Sequence, residues 1–278
     1  MDLKAILAII SGGEGDAQVL TSAARLANRF SAAVTVIPAF SSPASDLVHF
    51  GAATRDLPAE LLSQLAAGQR AEHERAVELV KSVAAREGLA TGAASMTVKP
   101  REVALADEVA REAVLSDLVV MSAKAARGAL NHLFAETLLA VRAPTLLVKG
   151  EPLGSGSAAI AWDGSPQAGR AIRAALAMLR QMKSVFVFTN VDESYEVGDE
   201  IAEAARAYLE RHGVANIVTR SVKGADVPHS LLDAARSQGC ELLVAGGYGR
   251  PRLYELVLGG ATRAFVNAEG APDIFLSH

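Results

Sequence analysis

The feature that most constrains the fold of this 278-residue chain is an internal repeat of short apolar runs alternating with amphipathic stretches. Ala5-Ile6-Leu7-Ala8-Ile9-Ile10-Ser11-Gly12-Gly13 parallels Ala158 to Ser165, and Asp117-Leu118-Val119-Val120-Met121-Ser122 parallels Glu241 to Gly246. Arg142-Ala143-Pro144-Thr145-Leu146-Leu147-Val148 parallels Gly270 to Leu276. Apolar runs of strand length separated by helical periods mark right-handed crossover units and a parallel sheet covered on both faces. Their recurrence marks two copies of one unit.

In the first copy the pattern predicts Ala5–Ile10, Ala33–Ala39, Ala93–Val98, Leu118–Met121 and Thr145–Lys149 as strands. Helices are expected over Asp16–Arg29, Pro58–Arg86, Val103–Leu115 and Leu130–Val141. In the second, strands fall at Ala158–Trp162, Val185–Asn190, Asn216–Val222, Leu242–Ala245 and Ile274–Leu276. The intervening helices are Pro166–Met182, Glu196–His212, Pro228–Gln238 and Arg252–Asn267. These divide the chain into residues 1–149 and 157–278, joined by a Gly/Ser-rich linker over 150–156. The first copy is longer because Ser41 to Leu89 adds a polar, turn-rich stretch and an alanine-rich charged helix; Ser41 to Pro58 is long enough to form a lid. Each last strand would be a short, apolar, unpaired edge, so the halves are expected to pack as a pseudo-dimer through Thr145–Lys149 and Ile274–Leu276.

Half of the residues are hydrophobic and aromatics are few, the palette of helices packed on a parallel sheet. A net charge of −4 without a basic run argues against nucleic acid and anionic membrane as partners. No apolar run approaches the length of a membrane span, and Met1-Asp2-Leu3-Lys4 lacks a secretory leader, so a cytoplasmic location is expected. Cys240, the single cysteine, excludes an intrachain disulfide and reads as a small core residue. His49, His73, His132, His212, His229 and His278 show no metal-ligand spacing, so no metal site is expected.

The chemistry concentrates near the end of the chain. Leu242-Leu243-Val244-Ala245 runs into Gly246-Gly247-Tyr248-Gly249, and after nine residues Gly259-Gly260-Ala261-Thr262 follows. Glycines beyond a strand let a ligand touch the backbone, and unpaired amides at such a loop and at a helix start bind phosphate without a lysine. Earlier in the same half the apolar run Ala158 to Trp162 stops at Asp163-Gly164-Ser165-Pro166. In an open parallel sheet ligands collect beyond the carboxyl ends of the strands where strand order reverses. Asp163 and Gly246 end the first and fourth strands of their half, so a carboxylate that can accept from adenine's amine would face a phosphate loop. The plainer readings are ordinary turns at the glycines, an N-cap role for Asp163 in competition with Ser165, core packing for Trp162, and solvated loop positions for Tyr248 and Arg250.

With these residues in view, the chain resembles a tandem universal stress protein. That resemblance implies two doubly wound, five-stranded parallel sheets of the Rossmann-like adenine nucleotide alpha hydrolase type, with strand order 3-2-1-4-5, forming an intramolecular pseudo-dimer. It implies an adenine nucleotide, ATP with or without Mg²⁺, held near Ala161, Trp162, Asp163 and the backbone of Val191. Gly246, Tyr248, Gly249, Gly259, Gly260, Ala261 and Thr262 would surround ribose and phosphates. The sequence departs from the family pattern at Gly260, where Ser or Thr is usual; Thr262 matches a further hydroxyl used by nucleotide-binding members.

The first half lacks the same pattern. Ser11 stands in the place of Asp163, while Ser122, Ala125 and Ala135 stand in the places of Gly246, Gly249 and Gly259, with Glu136-Thr137-Leu138 following. A structural role is therefore expected there, and one nucleotide per chain. No Walker loop, nucleophile elbow or Cys–His pair is present, and neither Glu255 nor Glu269 is clearly placed as a base. The functions in play are a stress-response or regulatory module that signals nucleotide occupancy to a protein client, a nucleotide-free interaction module, and a slow ATPase. A homodimer of such chains is compatible with the pattern.

Overall fold

The computed structural model describes residues 2–40, 59–89, 94–100, 104–151, 153–190, 195–247 and 260–278. The first half contains strands β1 (Ala5–Ile10), β2 (Ala33–Pro38), β3 (Ser95–Val98), β4 (Leu118–Ser122) and β5 (Thr145–Val148). Its helices are α1 (Asp16–Phe30), α2 (Ala59–Arg86), α3 (Leu105–Val114), α4 (Ala123–Arg127) and α5 (Asn131–Ala135), the last running into a π-helical turn over Glu136–Ala140. The second half contains β6 (Ser157–Ala161), β7 (Ser184–Asn190), β8 (Ile217–Val222), β9 (Cys240–Gly246) and β10 (Asp273–Ser277). Its helices are α6 (Pro166–Leu179), α7 (Tyr195–Arg211), α8 (Val227–Ser237) and α9 (Gly260–Asn267). The lid suggested for Ser41 to Pro58 lies outside the described residues.

The strands form one ten-stranded sheet in the order β3-β2-β1-β4-β5-β10-β9-β6-β7-β8. Each half therefore has the expected 3-2-1-4-5 order, and the two are fused where β5 and β10 pair antiparallel, Ile274 opposite Leu147 and Leu276 opposite Thr145. The other pairings are parallel. The edge argument thus identified the correct strands. Leu146, Leu147, Ile274, Phe275 and Leu276 are fully buried at the seam, and each contributes about 1.5–3 kcal/mol relative to exposure.

Alternation along the strands sends successive side chains to opposite faces. One face packs Ile6, Ala8, Ile160, Val185 and Val244 under α1, α2, α6 and α7; the other packs Leu7, Ile9, Phe188, Leu243 and Ala245 under α3, α4, α5, α8 and α9. Among the described residues, no helix is long and apolar enough to cross a membrane. Cys240 is buried, and desolvation pushes its thiol up to about 12, so it behaves as a core residue.

One helix expectation is corrected. The segment after β4 is helical from Ala123 rather than from Leu130, and it is broken into α4, α5 and the π turn. Ala123-Lys124-Ala125-Ala126-Arg127 consists of strong helix formers, which continue the backbone as helix directly from the strand. The counterpart Gly247-Tyr248-Gly249-Arg250 has two glycines in those positions.

The seam also buries charge. Asp273, 3% exposed, accepts the Lys149 backbone N–H at 2.8 Å through Oδ1, and its Oδ2 is buried. Desolvation raises the Asp273 carboxyl from 3.8 to about 7; desolvation, then the charges of Arg127 and Arg236, lowers the Lys149 ammonium from 10.5 to about 8. The folded state therefore holds the extra proton on Asp273 between pH 3.8 and about 7, so stability falls as pH rises through that window. Lys149 acts oppositely: the unfolded chain holds the extra proton between about 8 and 10.5, and stability rises there. These two groups place a stability minimum near pH 7–8. Asp273→Asn is expected to flatten the acid limb, which spans at most about 4 kcal/mol. Urea unfolding of both chains across pH 4–8 checks this, and equal slopes would contradict it.

Candidate functional site

Strand order reverses beside β6, which pairs with β7 on one side and β9 on the other. Ala161, its last residue, stands opposite Phe188 of β7 and Ala245 of β9. The residues after Ala161 and after Ala245 consequently emerge side by side, as the switch-point argument requires. Trp162 donates its backbone N–H to Phe188 O at 2.9 Å and its indole Nε1–H to Ile201 O at 2.7 Å. It packs on the core and ties β6 to α7.

Gly164, at φ +74°, then turns the chain. Asp163 is exposed, and its Oδ1 accepts the Ser165 N–H at 2.9 Å. Ser165 Oγ accepts the Ala168 N–H at 3.1 Å and caps α6. Ser165 is therefore the N-cap, and Asp163 stiffens the turn while keeping its carboxylate at the strand end. Nearby, at the carboxyl end of β7, Thr189 Oγ1 and Asn190 Oδ1 are buried with no hydrogen-bond partner among the described residues.

Gly246 ends β9 against the start of α6. A Cβ there would lie 2.6 Å from the Ala168 nitrogen and 2.8 Å from the Gln167 carbonyl carbon, so only glycine lets strand and helix start meet. Gly247 donates its N–H to Ser277 O at 2.8 Å. Its Cβ position would lie 3.3 Å from Leu138 of the first half. His278 Nδ1 lies 3.0 Å from Gly247 O, which only accepts, so that nitrogen carries the proton. Gly260 and Ala261 open α9 exposed, whereas Thr262 is 2% exposed on the packed side with Phe265 and Val266. Val191, Tyr248, Gly249 and Gly259 lie outside the described residues.

The first half treats the equivalent place differently. Ser11 N–H and Gly12 N–H donate to Asp16 at 2.9 Å and 2.7 Å, and Ser11 Oγ reaches the same carboxylate at 3.2 Å. The chain's own acid, buried at the start of α1, thus takes the strand-end amides that an anion would use. Burial raises its carboxyl and these hydrogen bonds lower it, with burial the larger effect. Its counterpart in the second half is Ala168, which carries no acid.

The close approach of strand and helix start is also solved in reverse. Ser122 ends β4, and glycine has moved to the helix side as Gly15, where a Cβ would lie 2.8 Å from Ser122 Oγ. Asp16 and the Gly15–Ser122 exchange are the features that sequence reasoning missed. Glu136 is exposed at the start of the π turn. Among the described residues, no group of three His, Cys, Asp or Glu side chains could hold a metal ion.

The family described as "Universal stress protein family" matches residues 158–268. A universal stress protein from Archaeoglobus fulgidus DSM 4304 superposes with a TM-score of 0.70 at 11% identity, covering 99% of this chain and 96% of that one. A functionally unknown protein from Pseudomonas aeruginosa PAO1 superposes at 0.63 with 13% identity, covering 99% and 92%. Both share the whole two-part fold. No curated protein matches the chain. Residues 158–268 form a universal stress protein domain, set in a chain whose two halves share one sheet.

Proposed function

We propose that the second half binds one adenine nucleotide, most simply ATP, and that the chain is a regulatory module whose occupancy is read by a protein client. The observation that carries this reading is the contrast between the two switch points. At the first, Asp16 fills the strand-end amides. At the second, position 168 is alanine, and the exposed Asp163 follows β6, whose last residue Ala161 lies opposite Ala245, the neighbour of Gly246 in β9. Asn190 Oδ1 at the end of β7, buried with no partner among the described residues, suits a base carrying an exocyclic amine. The exposed Gly260 and Ala261 of α9 suit phosphate.

In this reading Asp163 and the backbone of Val191 meet the base, with Ala161 and Trp162 forming the floor. Gly246, Tyr248, Gly249, Gly259, Gly260 and Ala261 surround ribose and phosphates, with Thr262 buried behind them on the packed side of α9. The second half, residues 157–278, is the binding domain. Residues 1–149 complete the sheet.

Calorimetric titration of ATP into the wild-type, Asp163→Ala and Gly259→Val chains tests this. Gly259→Val is expected to abolish binding by blocking close approach to the backbone. Asp163→Ala should narrow the preference for ATP over GTP more than it weakens affinity for inorganic triphosphate. Unaltered ATP binding by Gly259→Val would sink the assignment.

A further inference from the structure

The described part of the helix that carries Gly260, Ala261 and Thr262 runs from Gly260 to Asn267, and its far end is held by the other half of the molecule. Lys149, the residue after β5, donates from Nζ to the carbonyls of Phe265 at 2.6 Å, Val266 at 3.1 Å and Ala268 at 2.6 Å. Arg127, at the end of α4, donates from Nη1 to Asn267 O at 3.1 Å. Four consecutive carbonyls at the negative end of α9 thus meet two cations from the first half. Within the second half, Arg236 of α8 holds the next two, Glu269 O and, at 3.2 Å, Gly270 O. Lys149 is itself anchored through its backbone N–H to Asp273.

Among the described residues this contact is built once. Ser277 stands in the second half where Lys149 stands in the first, and serine lacks the reach to hold the π-helical turn in the same way. Among the described residues the clamp is therefore on the helix that carries the candidate phosphate-side residues Gly260 and Ala261. Gly260 and Ala261 lie about 12 Å from the clamped end, roughly two helical turns, so fixing the last turn of the helix fixes where they point.

We propose that Lys149 and Arg127 are positioning residues for the nucleotide site, through which the first half sets the affinity of the second; this rests on the nucleotide reading above. Because binding and clamping are linked through one helix, nucleotide should in turn tighten the clamp.

The test uses the full chain and ATP as the probe. Lys149→Met, Lys149→Arg and the milder Arg127→Gln are compared with wild type by calorimetry, at a denaturant-free temperature where each is folded by circular dichroism. Hydrogen exchange is followed in residues 260–268. Lys149→Met is expected to weaken ATP binding at least tenfold and to speed exchange selectively in that helix, with Lys149→Arg restoring most of both. Arg127→Gln should move both quantities the same way by a smaller factor, and it carries the test if Lys149→Met does not fold. ATP should slow exchange across 260–268 in the wild type and much less in Lys149→Met. A wild-type chain that binds no ATP overturns the nucleotide reading itself. A wild-type chain that binds, with Lys149→Met or Arg127→Gln binding equally well, overturns the clamp alone.

Discussion

Gly246→Val is expected to destabilise the chain by about 3 kcal/mol, the top of the usual range for overpacking, and to abolish nucleotide binding. The reason is local and steric. The added Cβ would meet backbone atoms of Gln167 and Ala168, which cannot move aside as a flexible side chain can. Accommodating it means pushing the start of α6 away from β9, and with it the turn that carries Asp163. The first half offers a control, because there the glycine is on the helix. Gly15→Ala should destabilise by bringing its methyl against Ser122 Oγ, and adding Ser122→Gly should recover much of the loss. Urea unfolding of the single and double variants measures this coupling. A Gly246→Val chain within ~0.5 kcal/mol of wild type that still binds ATP would contradict the placement of β9 against α6.

Expressing Ser155–His278 alone should have the other large effect. In the intact chain β10 pairs with β9 on one side and with β5 on the other. Removing the first half leaves Ile274, Phe275 and Leu276 on an unpaired edge, and it strips Lys149 and Arg127 from the end of α9. Such an edge recruits another strand. The fragment is expected to homodimerise through β10 or to aggregate, and to bind ATP more weakly than the full chain. Light scattering and calorimetry of the purified fragment check both. A stable monomer with full affinity would show that the first half is dispensable for the site.

The parts of this molecule legible in its sequence were those written in local pattern. The strands of each half are nearly continuous apolar runs, as strands buried on both faces must be, and their recurrence disclosed the repeat. The seam followed because Thr145–Lys149 and Ile274–Leu276 are too apolar to stay unpaired. Gly246 is legible as a strand end and closes β9, while Asp163 lies in the turn two residues beyond β6, the strand beside β9.

The rest depends on three-dimensional approach. An acid in the first turn of a helix, as Asp16 is, ordinarily complements the helix dipole; nothing local says that it reaches back to Ser11 and Gly12. The exchange of Gly15 for Gly246 is visible only when strand end and helix start are seen to touch. Lys149 reads as the last residue of a strand, yet it caps a helix 116 residues further on. The helix start at Ala123 is not legible from the repeat, because the aligned residues Gly247-Tyr248-Gly249 form a glycine-rich stretch whereas the alanines and lysine here favour helix.

The central claim is that the two switch points differ, one filled by the chain's own carboxylate and one made for a nucleotide. The most direct measurement is the stoichiometry of ATP bound by the full chain, from calorimetry joined to mass spectrometry of the denatured protein. One nucleotide per chain, lost in Gly259→Val and kept in Asp16→Asn, is the expected result. Two equivalent sites, or none across a titration into millimolar ATP, would contradict the account.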